Sequence, residues 1–310
     1  MSKLKYKITK RKTKKNITKH NKKTKYNNYN NYNKSYKPKI LHNINYLRNK
    51  EKELLCLLGK GTCNHNESIT KEVDSCISFL PKIPDTPNTP NTPKTPKTPN
   101  TPKIFIDIGA HKGLYTQEVL KKLPNIECYL FEPSPANTDI LKNKFEKLNN
   151  VHISTKALSN ITGKQKIYFD SPGSQITSLT QRRLDHFHMY MDYSEEIETI
   201  RFDEFWKHPN TFIDYVKIDV EGHELNVLEG FGDLIKNIGI IQFEFGGANI
   251  DTRTYFQDFW YFFKNKIYDF SIYRIAPNGL IPITRYSEYD ECFITTNYIA
   301  VNNKINKKKK

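Results

Sequence analysis

Between residues 104 and 301, short and nearly continuous apolar runs alternate with amphipathic stretches. Ile104 to Ile108 has the length and near-continuous apolar character of a strand covered on both faces, and Cys128 to Phe131 and Ile238 to Phe243 are further apolar runs of strand length. A helix is expected from about Leu114 to Leu123, with Leu114, Val119, Leu120 and Leu123 as its apolar face, and another from Pro135 to Leu148. This alternation predicts an α/β fold built on a doubly wound parallel sheet. Further strands are expected at Lys164 to Phe169, Ile197 to Phe202, Asp269 to Ile275 and Cys292 to Val301, with a turn at Pro277-Asn278-Gly279 and a short helix ending near Trp206. Tyr255, Phe256, Phe259, Trp260 and Phe263 repeat at helical spacing and read as core. Residues 170 to 195 lack periodicity. With Gln175, Arg182, Arg183, His186, His188 and Tyr190 they are predicted to form a lid or acceptor-recognition insertion, though the histidines read equally as solvated loop residues.

Several of these runs end in an acid or a glycine, which is how a doubly wound sheet builds a ligand site beyond the carboxyl ends of its strands. In Asp107-Ile108-Gly109-Ala110-His111-Lys112-Gly113, Gly109 permits a sharp turn with positive φ, and Gly113 is expected to allow the next helix to approach the sheet. Glu132 follows at the end of the second run, where a carboxylate can accept hydrogen bonds from both hydroxyls of a ribose. The middle glycine of the dinucleotide fingerprint is missing, and Ala110, His111 and Lys112 leave less room for a pyrophosphate. S-adenosylmethionine, which has no phosphate, fits this turn better. Lys112 reads most simply as a solvated charge.

Asp-x-Gly-Ala-x-x-Gly at 107–113, Phe131-Glu132-Pro133, Ala157-Leu158-Ser159-Asn160 followed by Gly163, Lys217-Ile218-Asp219-Val220-Glu221-Gly222-His223-Glu224 and Phe243-Glu244 occur in this order. In them the chain resembles the FkbM-type S-adenosylmethionine-dependent methyltransferases, over roughly residues 103 to 301. The resemblance implies a Rossmann-like, seven-stranded class I methyltransferase sheet with helices on both faces. It also implies methyl donation from S-adenosylmethionine, usually to an oxygen on a sugar or other small metabolite. By the same resemblance, Asp107, Gly109, Ala110 and Gly113 would border the methionine part of the cofactor and Glu132 would hold the ribose. Ala157, Leu158 and Ser159 would lie beside the adenine at the end of a third strand, Val151 to Ala157, and Asp219 and Glu221 would face the reacting methyl group from the end of a fourth, Tyr215 to Asp219.

Asp219 and Glu221 stand two apart, and alternate residues of an extended segment share a face. Two such carboxylates can act as a general base, stabilise the cationic cofactor region or hold a divalent metal through oxygen. The competing reading has Asp219 capping the following helix, with Glu221 and Glu224 in its first turn, where acids complement the helix dipole. His223 is a candidate base because its ordinary pKa lies near neutrality, or else a polar cap. Glu244, Arg182 and Arg183 are candidate acceptor-binding residues, Glu244 being equally readable as a loop cap.

Charge changes the picture outside this domain. Residues 1 to 50 hold 17 Lys or Arg and no Asp or Glu, so of a net charge of +16 the rest of the chain carries −1 (16 less 17). This Asn- and Tyr-rich tail has too few aliphatics to fold alone and is expected to be disordered. Its candidate partners are nucleic acid, an anionic surface or a nuclear import receptor, against the plainer reading of a solubilising extension. A short segment at 51–83 is expected to hold one or two helices, and six Asx/Lys-Thr-Pro triplets at 84–102 read as a semi-rigid linker. The domain proper is expected at 103–303, before a basic run at 304–310.

Five irregularly spaced cysteines without a Cys-x-x-Cys motif favour reduced thiols over a zinc site. No run approaches 18 apolar residues and the first 30 lack a signal-peptide core, so an intracellular, cytoplasmic protein is expected, with nuclear import through the tail as an alternative. The excess of Lys, Asn, Ile and Tyr points to an AT-rich genome such as that of a protist or large DNA virus.

The function expected from these features is S-adenosylmethionine-dependent O-methylation of a hydroxyl on a sugar, glycan or related small molecule. The alternatives are a nucleic acid methyltransferase aided by the tail, and an inactive methyltransferase-like binding protein. Against the first, neither an Asn/Asp-Pro-Pro-Tyr motif nor a Pro-Cys motif is present. Acceptor identity, metal dependence and oligomeric state are not readable from the chain.

Overall fold

A computed structural model describes residues 43–61, 65–80, 103–265 and 267–303. The expectations for residues 1–42, for the Thr-Pro linker at 84–102 and for the last basic run fall outside the described residues. The chain divides into two compact units, Met1–Arg48 and Asn49–Lys310. In the first, the described residues begin helix α1 (Ile44–Leu57), so the stretch expected to be disordered through residue 50 is helical at its end.

The second unit is built on an eight-stranded sheet. Its strands are β1 (Ile104–Ile108), β2 (Glu127–Phe131), β3 (Val151–Ser154), β7 (Ile213–Ile218), β8 (Ile238–Phe245), β9 (Phe270–Ala276), β10 (Gly279–Ile283) and β11 (Thr296–Asn302), in the order β10-β9-β11-β8-β7-β1-β2-β3. The five from β3 to β8 are mutually parallel, and β11, β9 and β10 close the other side antiparallel. Seven of them form the expected sheet. The eighth arises because Pro277-Asn278 makes a two-residue hairpin that pairs Gly279 with Ala276, adding an edge strand where only a turn was expected.

Period-two alternation divides the sheet between two apolar layers. Ile104, Ile106 and Ile108 pack beneath α5 (Phe202–Phe205), α6 (Glu224–Gly230) and the aromatic helix α7 (Phe256–Phe263), whose Phe256, Phe259 and Phe263 are buried as expected. Phe105, Tyr215 and Ile240 face α2 (His65–Ile77), α3 (Leu114–Lys122) and α4 (Pro135–Phe145). The buried face of α3 is Tyr115, Thr116 and Val119, whereas Leu114 is exposed. Leu114 opens the helix directly after the glycine turn, before the turn has brought a face onto the sheet.

Strand β3 stops at Ser154, whose hydroxyl accepts from Lys156 N at 3.3 Å and turns the chain out of the sheet. The expected continuation to Ala157 is instead β4 (Ala157–Leu158), part of a second sheet in the order β4-β6-β5 with β5 (Gly163–Phe169) and β6 (Tyr193–Ile200). Strand β6 begins in the segment expected to lack periodicity, because its outer face is charged: Lys164 pairs with Glu196 at 2.7 Å. Cys76, Cys128 and Cys292 are free thiols, but Cys56 is disulfide-bonded, against the expectation of five reduced cysteines. Among the described residues no helix is long and apolar enough to cross a membrane.

Candidate functional site

Parallel register brings the strand-end acids to one rim. Asp107 lies opposite Lys217, Ile108 opposite both Phe131 and Ile218, and Ile218 opposite Phe243. Asp107, Glu132, Asp219 and Glu244 therefore leave four adjacent strands at the same edge. Gly109 is what lets β1 and β7 end so close together: at φ +77°, a Cβ there would stand 1.9 Å from the Asp219 carbonyl oxygen. The close approach this glycine allows is thus to another strand end as well as to a ligand. At Gly113 a Cβ would meet Leu141 and Phe145 at 2.7 and 2.6 Å, so it serves the contact of α3 with α4 rather than with the sheet.

Two cavities meet at this rim. The first is lined by Ile108, Phe131, Leu158 and Ile167 on its apolar side and by Glu132, Asn137 and His223 among its polar groups. The second, of about 370 Å³, is lined by Glu72, Tyr115, Lys217, Glu244 and Asn297. Gly109, His111, Gln175, Asp219 and Glu221 line both and form the common wall. His111 (φ 48°) and Glu221 (φ 54°) are two of four described non-glycine residues with left-handed backbone, a strain that tends to persist at functional positions.

The first cavity offers acceptors. Glu132 Oε2 accepts from His111 N at 2.8 Å and Oε1 from Ser134 N at 3.0 Å, which fixes the carboxylate while leaving lone pairs for a ligand. Burial pushes its pKa up, and these backbone donors oppose the shift. Asn137, from the first turn of α4, was missed by sequence reasoning. Its Oδ1 is buried and has no partner among the described residues, so it awaits a donor. No Lys or Arg lines this cavity among the described residues. An uncharged nucleoside, with hydroxyls for Glu132, a donor for Asn137 and an aromatic ring for the apolar wall, fits this set. A pyrophosphate would face the Glu132, Asp219 and Glu221 carboxylates with no Lys or Arg among the described lining residues to balance its charge.

Asp107 lies beneath the cavities and lines neither. It is fully buried, with Oδ2 accepting from Thr116 Oγ1 at 2.6 Å and Oδ1 standing 3.7 Å from Lys217 Nζ. Burial raises its pKa against the opposing Lys217. Lys217 also donates to Asp219 Oδ2 at 3.1 Å. Burial alone would lower the lysine's pKa, but Asp219 and Asp107 outweigh it and hold the ammonium above its ordinary value. Sequence reasoning quoted Lys217 within its motif and gave it no role.

Glu221 Oε2 pairs with Arg182 Nη1 at 2.5 Å, and Arg182 Nε reaches Asp251 at 3.4 Å. Burial and Asp219 push Glu221 up, and Arg182 opposes them. Arg182 thus meets the cavities through Glu221. Arg183 is exposed and lines a separate hollow with Asp185 and Tyr190. His186 and His188 are exposed as well. The insertion's contribution comes from its first half: Gln175 lines both cavities, and Ser178 donates to the Glu221 carbonyl at 2.8 Å. His111 Nε2–H ties the glycine turn to this segment by donating to the Gly173 carbonyl at 3.0 Å; burial lowers its pKa and keeps the ring neutral.

His223 lines the first cavity only. Nδ1–H donates to Asn226 Oδ1 at 3.1 Å and Nε2 accepts from Thr180 Oγ1 at 2.9 Å, while burial lowers its pKa. Both ring nitrogens of the candidate base are therefore engaged, and neither faces the second cavity. Asp219 does not cap the following helix, whose N-cap is His223 with no side-chain cap; Glu224 instead folds back to the loop before it, its Oε1 accepting from Val220 N and Gly222 N at 3.0 and 3.1 Å. Ala157 and Leu158 line the first cavity from β4, whereas Ser159 is buried and donates its N–H to the Ile200 carbonyl, lining neither cavity. Ala110 lines only the second. Among the described residues no group of three or more His, Cys, Asp or Glu is placed to hold a metal ion, since Asp219 and Glu221 each face a cation of the chain.

The family model described as the Methyltransferase FkbM domain matches residues 107–270. A curated relative, "Methyltransferase 1" of Beauveria bassiana (strain ARSEF 2860), is 25% identical over 154 residues, which cover 43% of this chain and 61% of that protein. The matched stretch thus spans less than two thirds of the relative's length. Among solved structures, the plantazolicin methyltransferase in complex with SAH is 10% identical, with a TM-score of 0.40 over 82% of this chain and 88% of that one. An rRNA methylase from Streptococcus thermophilus is 9% identical, with a TM-score of 0.37 over 74% of this chain and 93% of that one.

Proposed function

The chain belongs to the FkbM methyltransferase family, whose model spans more than half of it, and we propose that it transfers a methyl group from S-adenosylmethionine to a hydroxyl oxygen of a sugar, glycan or related small molecule. The observation that carries this reading is the pair of adjoining cavities that share Gly109, His111, Gln175, Asp219 and Glu221 as a wall. The first has acceptors for a ribose and adenine, carboxylates at its inner end for a sulfonium, and no cation for a phosphate. The second is where an acceptor molecule would sit.

Bound there, S-adenosylmethionine supplies a methyl group on a positively charged sulfur. The chain's own task is to hold an acceptor oxygen in line with that methyl and to take its proton. Asp219 faces both cavities with Oδ2 held by Lys217, which leaves Oδ1 for the acceptor hydroxyl. Asp219 Oδ1 would take the hydroxyl proton as the methyl passes from sulfur to the acceptor oxygen, and would release it to solvent. Glu221, held by Arg182 on the wall shared by the two cavities, would favour a sulfonium there electrostatically. His223 holds its place in the cofactor wall through Thr180 and Asn226.

Calorimetry of the full chain with S-adenosylmethionine, and transfer of radiolabelled methyl to pools of sugars, glycans, small alcohols and RNA, test this reading. Binding is expected to be lost in Glu132→Ala and retained in Asp219→Asn, with transfer in the latter reduced by about 100-fold or more. Binding of NAD in its place, or transfer confined to RNA, would overturn it.

A further inference from the structure

The second cavity is not balanced in charge. Of its carboxylates, Asp219 is matched by Lys217 at 3.1 Å and Glu221 by Arg182 at 2.5 Å. Glu72 and Glu244 have no such partner. Glu72 accepts only from neutral amides, Gln242 Nε2 at 2.7 Å and Asn297 Nδ2 at 3.2 Å. Glu244 makes no hydrogen bond or ion pair among the described residues, and the charged groups that act on it most strongly are four more carboxylates, those of Asp219, Glu221, Glu224 and Glu72. Lys112, on the same wall, is exposed to solvent.

The two unmatched acids also stand together. Asn297 on β11 is the register partner of Glu244 on β8, and its amide donates to Glu72 on α2, so the two carboxylates flank one residue from different elements. Partners directly opposite on antiparallel strands project to the same face of the sheet. Beneath them, a buried network of Gln242, Tyr115, Tyr215 and Cys76 fixes the floor, with Tyr215 OH donating to Gln242 Oε1 at 2.9 Å. Lys217 acts on Glu72 only from beyond ion-pair distance and is already paired with Asp219, so two fixed carboxylates with no ion-pair partner among the described residues, on the wall of a cavity of about 370 Å³, are complementary to a ligand that brings the cation itself.

Resting on the methyltransferase reading, we propose that the acceptor carries a protonated amino group, held between Glu72 and Glu244, in addition to the hydroxyl presented to Asp219: an amino-bearing sugar or polyol rather than a neutral one. Glu72 then sets specificity from a helix that precedes the family-matched residues. The direction of titration agrees with an unfilled cation site, since burial pushes Glu72 up to about 7 and raises Glu244 further above its ordinary value.

The test uses the full chain saturated with S-adenosylhomocysteine and titrated calorimetrically, near neutral pH, with D-glucosamine, N-acetyl-D-glucosamine and D-glucose. Glucosamine is expected to bind about tenfold tighter or more than either neutral sugar. Glu72→Gln and Glu244→Gln should each bring that ratio close to one, with S-adenosylhomocysteine affinity unchanged. Equal affinities for the three sugars, no binding of glucosamine, or a preference that survives both substitutions would overturn the inference while leaving the methyltransferase reading in place. Failure of S-adenosylhomocysteine to bind would overturn both.

Discussion

Lys217 Nζ lies 3.1 Å from Asp219 Oδ2 while the same ammonium stands 3.7 Å from the buried Asp107 Oδ1, so one lysine on β7 ties a carboxylate that is 37% exposed to one that is fully buried. Its ring contact with Tyr115, at 5.3 Å, shields it from solvent on a third side. Asp107 cannot reach water, so its charge depends on this partner. Lys217→Met is expected to destabilise the fold by about 3 kcal/mol or more, as breaking a buried pair does. That corresponds to a fall of roughly 10 °C in Tm for a unit of this size. Asp107→Asn in the Lys217→Met background should recover part of the loss, because it removes the uncompensated charge; a purely additive double mutant by thermal denaturation would show that the pair is not coupled.

Gly109→Ala tests how closely the two strand ends approach. The new Cβ would stand 1.9 Å from the Asp219 carbonyl oxygen, which is backbone and cannot swing away, at a φ of +77° that alone costs an alanine about 1 kcal/mol. Loss of cooperative unfolding or of cofactor binding is expected. At Gly163 nothing lies within 4 Å of the added Cβ, but its φ of +155° is one that side chains rarely adopt, so Gly163→Ala should cost about 1–3 kcal/mol of backbone strain alone in the same melting experiment, without the loss of cofactor binding expected at Gly109.

These two residues show what the sequence made legible and what it did not. Each apolar run that closed on an acid marked a strand end, and parallel register then placed Asp107, Glu132, Asp219 and Glu244 at one rim without further information. Glu72 and Asn297 gave no comparable signal. They come from a helix before the Thr-Pro repeats and from the last strand, and their meeting depends on tertiary packing that no local periodicity encodes. Asn137 looked like an ordinary polar residue in a helix's first turn; only its burial next to Glu132 gives it meaning. In the insertion, composition drew equal notice to Gln175 and Arg182, which reach the site, and to Arg183, His186 and His188, which are exposed, while Ser178, which donates to the Glu221 carbonyl, gave no signal. Surface charge and site charge look alike in a sequence.

Asn137→Ala separates binding from folding. Because Oδ1 has no partner among the described residues, its removal leaves no donor unsatisfied, and Nδ2 loses only a long 3.5 Å contact to Glu132. Stability should change by less than about 1 kcal/mol. S-adenosylmethionine affinity should fall about five- to tenfold by calorimetry, the value of one hydrogen bond to a ligand. Unchanged affinity would remove Asn137 from the cofactor site.

Glu224 makes stability depend on pH in a direction opposite to that of a salt-bridged acid. Its carboxyl is 2% exposed, Oε1 caps the chain at Val220 and Gly222, and Oε2 has no partner among the described residues. Burial pushes its pKa from 4.5 up to about 7. Between those values the folded chain holds a proton that the unfolded chain has released, so stability is greatest below about pH 4.5, falls as pH rises and levels off above about 7. The shift corresponds to something on the order of 3 kcal/mol as an upper bound. Glu72 and Glu244 are displaced in the same direction and add to the slope, so the wild-type curve alone does not isolate Glu224. Glu224→Gln does: its amide oxygen can still accept from Val220 and Gly222, while the cost of ionising a buried carboxyl is gone. The variant should melt several degrees above wild type at pH 8 and close to it at pH 5, both measured in the same buffer series. A difference in Tm that stays constant between those two values would mean that Glu224 does not titrate in this window.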